Sequence, residues 1–161
     1  MLTNVTHELW VADMEGCTHE DGKTPVLHCA KDPCHRQAVG YSTKEKLAPG
    51  HPEYLAARRG ENHLYLNLID PPLPLFKLES FQLALDFIDE RMRRIGSVVV
   101  HCNSGLSRAP SIALLWLSKR MRRDPDETFA VARAAFERLL PSYAPGKGIE
   151  QFLTEQWGRI Q

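Results

Sequence analysis

Residues 98–111 read VVVHCNSGLSRAPS and constrain the fold more than any other part of the sequence. The apolar run at their start has little polarity on either side, which is typical of a central strand covered on both faces. A helical pattern begins near Pro110, because the first turn of a helix tolerates a residue that lacks an N–H. Between them lie Cys102 and Arg108, six positions apart, with Gly105 to permit a tight bend. The segment predicts a strand, a loop and a helix N-terminus.

A loop that wraps onto a helix N-terminus directs backbone N–H groups inward, where the helix dipole also favours an anion. The same field favours a thiolate over a thiol at Cys102. The planar guanidinium of Arg108 can hold two phosphate oxygens at once. A nucleophile in a phosphate cradle predicts phosphoryl transfer to sulfur. The residues expected to line the cradle are Asn103, Ser104, Gly105, Leu106, Ser107 and Arg108.

The rest of the chain alternates between strand and helix patterns. Strands are predicted at residues 8–13, 25–29, 63–69 and 97–101, and helices at 51–59, 78–94, 110–121, 128–140 and 148–160. The prediction at 51–59 depends on Gly60, which can end a helix. Strands come early and helices accumulate late, so we predict an α/β fold with a central, mostly parallel sheet flanked by helices. At 161 residues, the chain is most economically one domain over 1–161.

Charge and apolar patterning limit the expected partners. Twenty Lys and Arg balance twenty Asp and Glu, so no nucleic acid is expected as a partner. The N-terminal residues do not resemble a secretion signal, and every apolar stretch is far shorter than the ~20 residues of a membrane span, so no membrane is expected either. The four cysteines are then interpreted as reduced thiols of a cytoplasmic protein. The sequence gives no indication of the oligomeric state.

Two His–Cys pairs invite a metal hypothesis. His28 and Cys29 precede Cys34 and His35. Neighbours on a strand point to opposite faces, so the first pair cannot easily share one ion, and the spacing is not that of a zinc finger. We therefore predict no metal and no cofactor. Residues 31–62, which contain the second pair, are too long for a structureless loop and are interpreted as a functional insertion.

The loop pattern identifies a family. His101, Cys102, Gly105 and Arg108, with a strand before and a helix after, resemble the HCxxGxxR signature of cysteine-dependent protein tyrosine phosphatases. The chain looks most like the small, single-domain, dual-specificity branch, over roughly residues 64–157. The resemblance implies that Cys102 forms a phosphocysteine intermediate and that Arg108 clamps the phosphate. It also implies that His101 helps to orient the loop.

The resemblance further implies a general acid. Asp70 lies 32 residues before Cys102, about the distance at which that family keeps the aspartate that protonates the leaving group. The plainer alternative is that Asp70 simply ends a strand before two prolines. The other candidates, Asp86 and Asp89, fall within the amphipathic pattern of a predicted helix and are interpreted as solvated or capping charges.

One position departs from the family pattern. The family commonly carries Ser or Thr immediately after the arginine, where the hydroxyl assists departure of the thiolate, but this chain has Ala109. Ser107 or Ser111 could substitute for that hydroxyl. If neither does, the phosphocysteine intermediate should accumulate.

The loop also bears on the substrate. Asn103, Ser104, Leu106 and Ser107 are uncharged, whereas inositide phosphatases of this superfamily tend to place lysines there. This favours a phosphoprotein or a small phosphomonoester. Three hypotheses stay open: a phosphatase of phosphotyrosine and of phosphoserine or phosphothreonine, a phosphate-binding module without turnover, and a phosphatase for RNA 5′ ends, nucleotides or inositides.

Overall fold

A mixed six-stranded sheet organises the structure, a computed structural model that describes residues 1–6, 8–18 and 22–161. The order across the sheet is β1-β2-β6-β3-β5-β4. The strands are β1 (Leu2–Thr6), β2 (Leu9–Ala12), β3 (Val26–His28), β4 (Ala56–Arg59), β5 (His63–Leu66) and β6 (Val98–His101). The four inner strands run parallel, and β1 and β4 join the edges antiparallel. The predicted α/β fold with a mostly parallel sheet is confirmed.

Five α-helices accompany the sheet within the described residues. They are α1 (Arg36–Val39), α2 (Leu78–Arg94), α3 (Arg108–Leu115), α4 (Phe129–Leu139) and α5 (Lys147–Gln156). A π-helical segment, Trp116–Arg122, extends α3, and the side chain of Thr128 caps α4 by accepting from the backbone N–H of Val131. The long helices predicted from periodicity are therefore confirmed within a few residues. Among the described residues, no helix combines the length and the apolar character that crossing a membrane requires.

The helix predicted at residues 51–59 is wrong. Its second half is strand β4, which pairs antiparallel with β5 so that Ala56 faces Leu66 and Arg59 faces His63. Gly60 has a φ of +58°, and it turns the chain between these two strands. A glycine that accepts positive φ serves a hairpin turn as well as a helix end, so the signal could not distinguish the two.

The two faces of the sheet are covered unequally. Leu27 and Val100 point into the large core, which α2, α3, α4 and α5 complete. Val26 and Val99 point to the opposite face and form only a small cluster. A short 3₁₀-helix, Met14–Thr18, packs there against β2, β3 and β6. The carboxyl ends of the parallel strands meet at one edge, the usual place of a ligand site in an α/β sheet.

Candidate active site

The loop predicted to bind an anion connects β6 to α3. At its centre Gly105 has a φ of +70°, a conformation that side chains rarely adopt. A Cβ atom there would also lie 3.0 Å from the backbone nitrogen of Asp13 and 3.1 Å from the carbonyl carbon of Ala12. Both the backbone conformation and the contact with the end of β2 therefore require glycine at this position.

The loop leaves backbone donors without acceptors. Cys102 donates its N–H to the carbonyl oxygen of Ala12 at 3.2 Å, and Leu106 donates to the hydroxyl of Ser104 at 3.3 Å. Within the described part of the chain, the other amides of this loop have no protein acceptor in the hydrogen-bond network: Asn103, Ser104, Gly105, Ser107 and Arg108. Amides of this kind, gathered at a helix N-terminus, can bind an oxyanion.

Cys102 is fully buried at the start of this loop. Cys29, which follows β3, belongs to the same core cluster. Burial, together with the nearby Cys102, raises the pKa of the Cys29 thiol well above its ordinary value. Cys29 therefore stays protonated and does not compete with Cys102 as a nucleophile. The sequence pattern indicated a buried strand end at Cys29 but not its place in the cluster of Cys102.

Arg108, the first residue of α3, is held in one orientation. It donates from Nη1 to the carbonyl oxygen of Leu68 at 2.9 Å and from Nη2 to Oδ1 of Asn103 at 2.6 Å. Its Nε is buried and has no hydrogen-bond partner among the described residues. A buried guanidinium with an unused donor is costly unless an acceptor is bound. Arg108 is therefore prepared for an anion.

Residues of the predicted insertion contact this loop. The side-chain amide of Asn103 donates to the carbonyl oxygen of Asp32 at 3.0 Å, within the helical turn Lys31–His35. His35 lies elsewhere: its ring bonds the hydroxyl of Tyr41 and the carbonyl oxygen of Glu53, and burial lowers its pKa. The predicted insertion thus contacts the loop through a backbone carbonyl of its own rather than through a side chain.

Asp70 lies beside the rim of the loop. It is exposed, two residues after Leu68, whose carbonyl oxygen holds Arg108. A Cβ atom at Gly146 would lie 2.7 Å from Oδ1 of Asp70, and the N–H of Gly146 donates to the hydroxyl oxygen of Ser107 at 2.9 Å. The backbone of Gly146, which carries no side chain, therefore lies between the carboxylate of Asp70 and Ser107 of the loop.

The alternative acids lie elsewhere. Asp86 accepts from Nη2 of Arg120 at 2.8 Å, and Asp89 accepts from Arg120 and from the indole of Trp116. Both carboxylates therefore join α2 to the segment after α3, and they are ion-paired rather than the solvated or capping charges that the sequence predicted.

The two serine hydroxyls near Ala109 each have a hydrogen-bond partner. Ser111 shares a 2.9 Å hydrogen bond with the phenol of Tyr143, whose pKa burial raises. Ser107 accepts from Gly146, which leaves its own hydrogen free to donate. Ala109 is fully buried and offers only a methyl group. His101, next to Cys102, directs Nε2 to Nδ1 of His28 at 2.7 Å. Neither Ser107 nor Ser111 forms a hydrogen bond with the sulfur of Cys102.

The comparisons with known proteins agree with the resemblance. Over 83 residues the chain is 34% identical to dual specificity protein phosphatase 19 of Mus musculus, a stretch that makes up 51% of this chain and 36% of that protein. The crystal structure of DUSP15 superposes with a TM-score of 0.68 at 17% identity, over 99% of this chain and 90% of that one. The human tyrosine phosphatase-like serine/threonine/tyrosine-interacting protein gives 0.67 at 16%, over 98% and 96%.

The matches to curated relatives cover only part of those proteins. The segments matched among curated relatives span 9% to 36% of those proteins' own lengths. No family model matches the chain. At identities below 20%, the superpositions on solved structures show a shared fold. The chain is thus similar in sequence to dual specificity phosphatases and shares the fold of the solved phosphatase structures, which agrees with the resemblance.

Proposed function

We propose that this chain hydrolyses phosphomonoesters through a phosphocysteine intermediate, with phosphotyrosine and secondarily phosphoserine or phosphothreonine as substrates. The observation that carries the proposal is the unused Nε donor of Arg108, buried on the same loop as Cys102 and the unbonded amides. The similarity of the chain to dual specificity phosphatases supports the same activity. The uncharged loop side chains support a phosphoprotein or a small phosphomonoester.

In the first step, the thiolate of Cys102 attacks phosphorus and forms the S–P bond while the bond to the ester oxygen breaks. Donors fixed in advance stabilise the charge on the equatorial oxygens, because they need no rearrangement at the moment of reaction. These donors are the loop amides and the guanidinium of Arg108. Asp70 gives its proton to the departing oxygen, which leaves as an alcohol.

In the second step, the carboxylate of Asp70 takes a proton from water, whose oxygen attacks phosphorus. The S–P bond breaks, inorganic phosphate forms, and the electron pair returns to the sulfur of Cys102. A hydroxyl donor near that sulfur would stabilise the emerging thiolate, and Ala109 cannot supply one. We propose that this step limits the turnover of the chain.

The variant Ala109→Ser tests that limit. A hydrogen bond to a charged group contributes about 1.5–3 kcal/mol, so the added hydroxyl should raise steady-state turnover about 10- to 150-fold. The measurement is stopped-flow release of p-nitrophenol from p-nitrophenyl phosphate. The wild type should show a burst followed by slow turnover, and the variant should lose the burst. Ala113→Ser, at a buried position of α3 beyond the loop, is the matched control. An unchanged steady-state rate in Ala109→Ser would show that Ala109 does not limit the second step.

The loop that carries Asp70 rests on the N-terminus of α5, and the variant Gly148→Ala tests this support. A Cβ atom at Gly148 would lie 2.1 Å from the carbonyl oxygen of Pro71 and 2.3 Å from that of Leu73. We expect Gly148→Ala to displace Asp70 and to slow hydrolysis of phenyl phosphate by about 10²-fold, the scale of a 1 Å misplacement. Gly158→Ala, where a Cβ atom meets nothing within 4 Å, is the control. Equal rates for both variants would contradict the supporting contact.

A second candidate function is a phosphate-binding module that reads phosphorylated proteins without turning them over. Ala109 favours it, since a stalled phosphocysteine would make the chain a slow enzyme. One experiment separates the two: the purified chain is mixed with p-nitrophenyl phosphate, and both burst and steady state are followed. Absence of any release, with retained binding of a phosphotyrosyl peptide, would replace the enzyme proposal by the binding one.

The class of substrate is tested by competition. Phosphotyrosyl peptides, phosphoseryl peptides, a triphosphorylated RNA 5′ end and an inositol polyphosphate are compared as inhibitors of p-nitrophenyl phosphate hydrolysis. We expect the phosphotyrosyl peptide to compete at the lowest concentration. The RNA or the inositide competing best would show that the substrate is not a phosphoprotein.

A further inference from the structure

Four potential metal ligands meet on the thinly covered face of the sheet. Cys17 lies on the 3₁₀-helix, His28 ends β3, Cys34 lies in the turn Lys31–His35, and His101 ends β6. One ligand atom from each lies within 4.8 Å of the other three. Three of the side chains are buried and Cys17 is half-buried.

The sheet register explains half of this cluster. β3 and β6 are neighbouring parallel strands, and His28 stands opposite His101. Residues opposite each other on neighbouring strands point to the same face. The rings meet edge to face, with Nδ1 of His28 2.7 Å from Nε2 of His101.

Gly16 explains how the thiol of Cys17 reaches the same place. A Cβ atom at Gly16 would lie 2.5 Å from Cβ of Ala12 and 3.1 Å from Cβ of His101. Only glycine lets the 3₁₀-helix lie this close to the sheet, which brings Sγ of Cys17 to 3.6 Å from Sγ of Cys34 and 3.6 Å from Nδ1 of His28.

Three of the distances between ligand atoms are close to those around a tetrahedral ion. With Zn–S bonds of about 2.3 Å and Zn–N bonds of about 2.05 Å, a tetrahedron separates two sulfurs by about 3.8 Å, sulfur from nitrogen by about 3.5 Å, and two nitrogens by about 3.3 Å. The two sulfurs lie 3.6 Å apart, and the sulfur–nitrogen distances are 3.6 Å (Cys17 to His28) and 3.9 Å (Cys34 to His101). Of these four pairs, His28–His101, at 2.7 Å, must open by about 0.6 Å. The other two pairs of ligand atoms lie within 4.8 Å, so binding also requires the cluster to contract around the ion wherever a pair exceeds the tetrahedral distance.

We propose that Cys17, His28, Cys34 and His101 form a buried Cys₂His₂ site for a divalent transition-metal ion, Zn²⁺ by the softness of its ligands. Binding releases one proton from each thiol, and the two thiolates neutralise the dication, which makes the site tolerable in a buried place. Four protein ligands leave no open position, so the ion is structural.

At His28, a second layer of contacts fits this assignment, whereas Nδ1 of His101 is buried without a hydrogen-bond partner among the described residues. Metal-bound histidines usually donate their other ring N–H to a neighbouring group. Nε2 of His28 lies 3.1 Å from Nδ1 of His63, and the ring of Tyr65 stacks on His28 with centroids 4.0 Å apart. His28 is thereby fixed with Nδ1 turned toward the cluster.

The pattern of residues 28–35 predicted no metal site, because neighbours on a strand point to opposite faces. That reason holds for Cys29, which points into the large core on the other face. The cluster instead takes His28 and Cys34, one residue from each pair, and adds Cys17 and His101 from segments far away in sequence. The addition of His101 depends on the strand register and that of Cys17 on the packing of the 3₁₀-helix, and the pattern of one segment contains neither.

The proposal gives His101 a specific role. An ion bound at Nε2 of His101 would fix the end of β6 immediately before Cys102. It would also join the 3₁₀-helix to the sheet on the face with the smaller apolar cluster. We therefore expect loss of the metal to lower both the melting temperature and the phosphate affinity of the loop.

The experiment measures metal directly. The full chain, reduced and purified without chelators, is analysed by elemental mass spectrometry, and the apoprotein is titrated anaerobically with Co²⁺. We expect one zinc per chain and, with Co²⁺, the intense visible d–d bands and thiolate charge-transfer band of a tetrahedral thiolate site. Cys17→Ser and Cys34→Ser should lower the zinc content well below one equivalent and weaken the charge-transfer band.

Two controls keep the test independent of folding and of catalysis. Cys29→Ser alters a buried cysteine outside the cluster and should keep one zinc, and so should Cys102→Ser, although it removes the proposed nucleophile. A reduced, folded wild type that holds no zinc and gives only the octahedral Co²⁺ spectrum would overturn the site. His28 and His101 would then simply share a hydrogen bond.

Discussion

Cys102→Ser is expected to abolish phosphate release from p-nitrophenyl phosphate, by about 10⁴-fold or more, the scale on which enzymes lose activity with their nucleophile. A serine hydroxyl at this position stays protonated and attacks phosphorus poorly, whereas the thiolate is both charged and strongly nucleophilic. Binding should survive, because the loop amides and Arg108 are untouched. The measurements are stopped-flow release of p-nitrophenol and calorimetric binding of a phosphotyrosyl peptide.

Cys29→Ser is the matched control, since it makes the same substitution at a buried cysteine of the same core cluster. It should keep the burst. If Cys102→Ser released p-nitrophenol at the wild-type rate, or if Cys29→Ser lost the burst while Cys102→Ser kept it, the phosphocysteine mechanism would be wrong.

Asp70→Asn is expected to slow hydrolysis of phenyl phosphate by about 10²–10⁴-fold, the usual contribution of a positioned general acid. The loss should shrink as the leaving group becomes more acidic, because a phenolate that is stable in water needs no proton. A series of substituted phenyl phosphates gives a plot of rate against leaving-group pKa, which should be steeper for Asp70→Asn than for the wild type.

The control for Asp70→Asn is Asp86→Asn, which removes a carboxylate paired with Arg120 on α2. It should leave the slope of that plot unchanged. A loss in Asp70→Asn that is the same for every leaving group would exclude proton donation and assign Asp70 to binding or to the structure of its loop.

Local signals predicted the elements of the fold well. The helix at 78–94 repeats its apolar residues on one face, and α2 has these bounds. The strand–loop–helix at 98–111 is contained in one segment, so its outline could be predicted without tertiary information. Strand β1 was not predicted, because an edge strand with one partner carries little apolar pattern.

Contacts between distant segments could not be predicted from the sequence. Asp70 was selected by its distance from Cys102, but its place beside Gly146 depends on how α5 packs. The orientation of Arg108 depends on the carbonyl oxygen of Leu68, a backbone group that is the same for every residue type. The cluster around His101 likewise needed the pairing of β3 with β6.

The two hydrogen bonds that hold the guanidinium of Arg108 have a thermodynamic consequence. A free arginine loses on the order of 2 kcal/mol of rotamer entropy when it is immobilised. Here Leu68 and Asn103 already immobilise it in the folded chain, so an arriving oxyanion does not bear that cost. Binding of an oxyanion at Nε should therefore carry a smaller entropic penalty than binding to a mobile arginine. Even a small anion that makes no further contacts gains affinity from this reduced penalty.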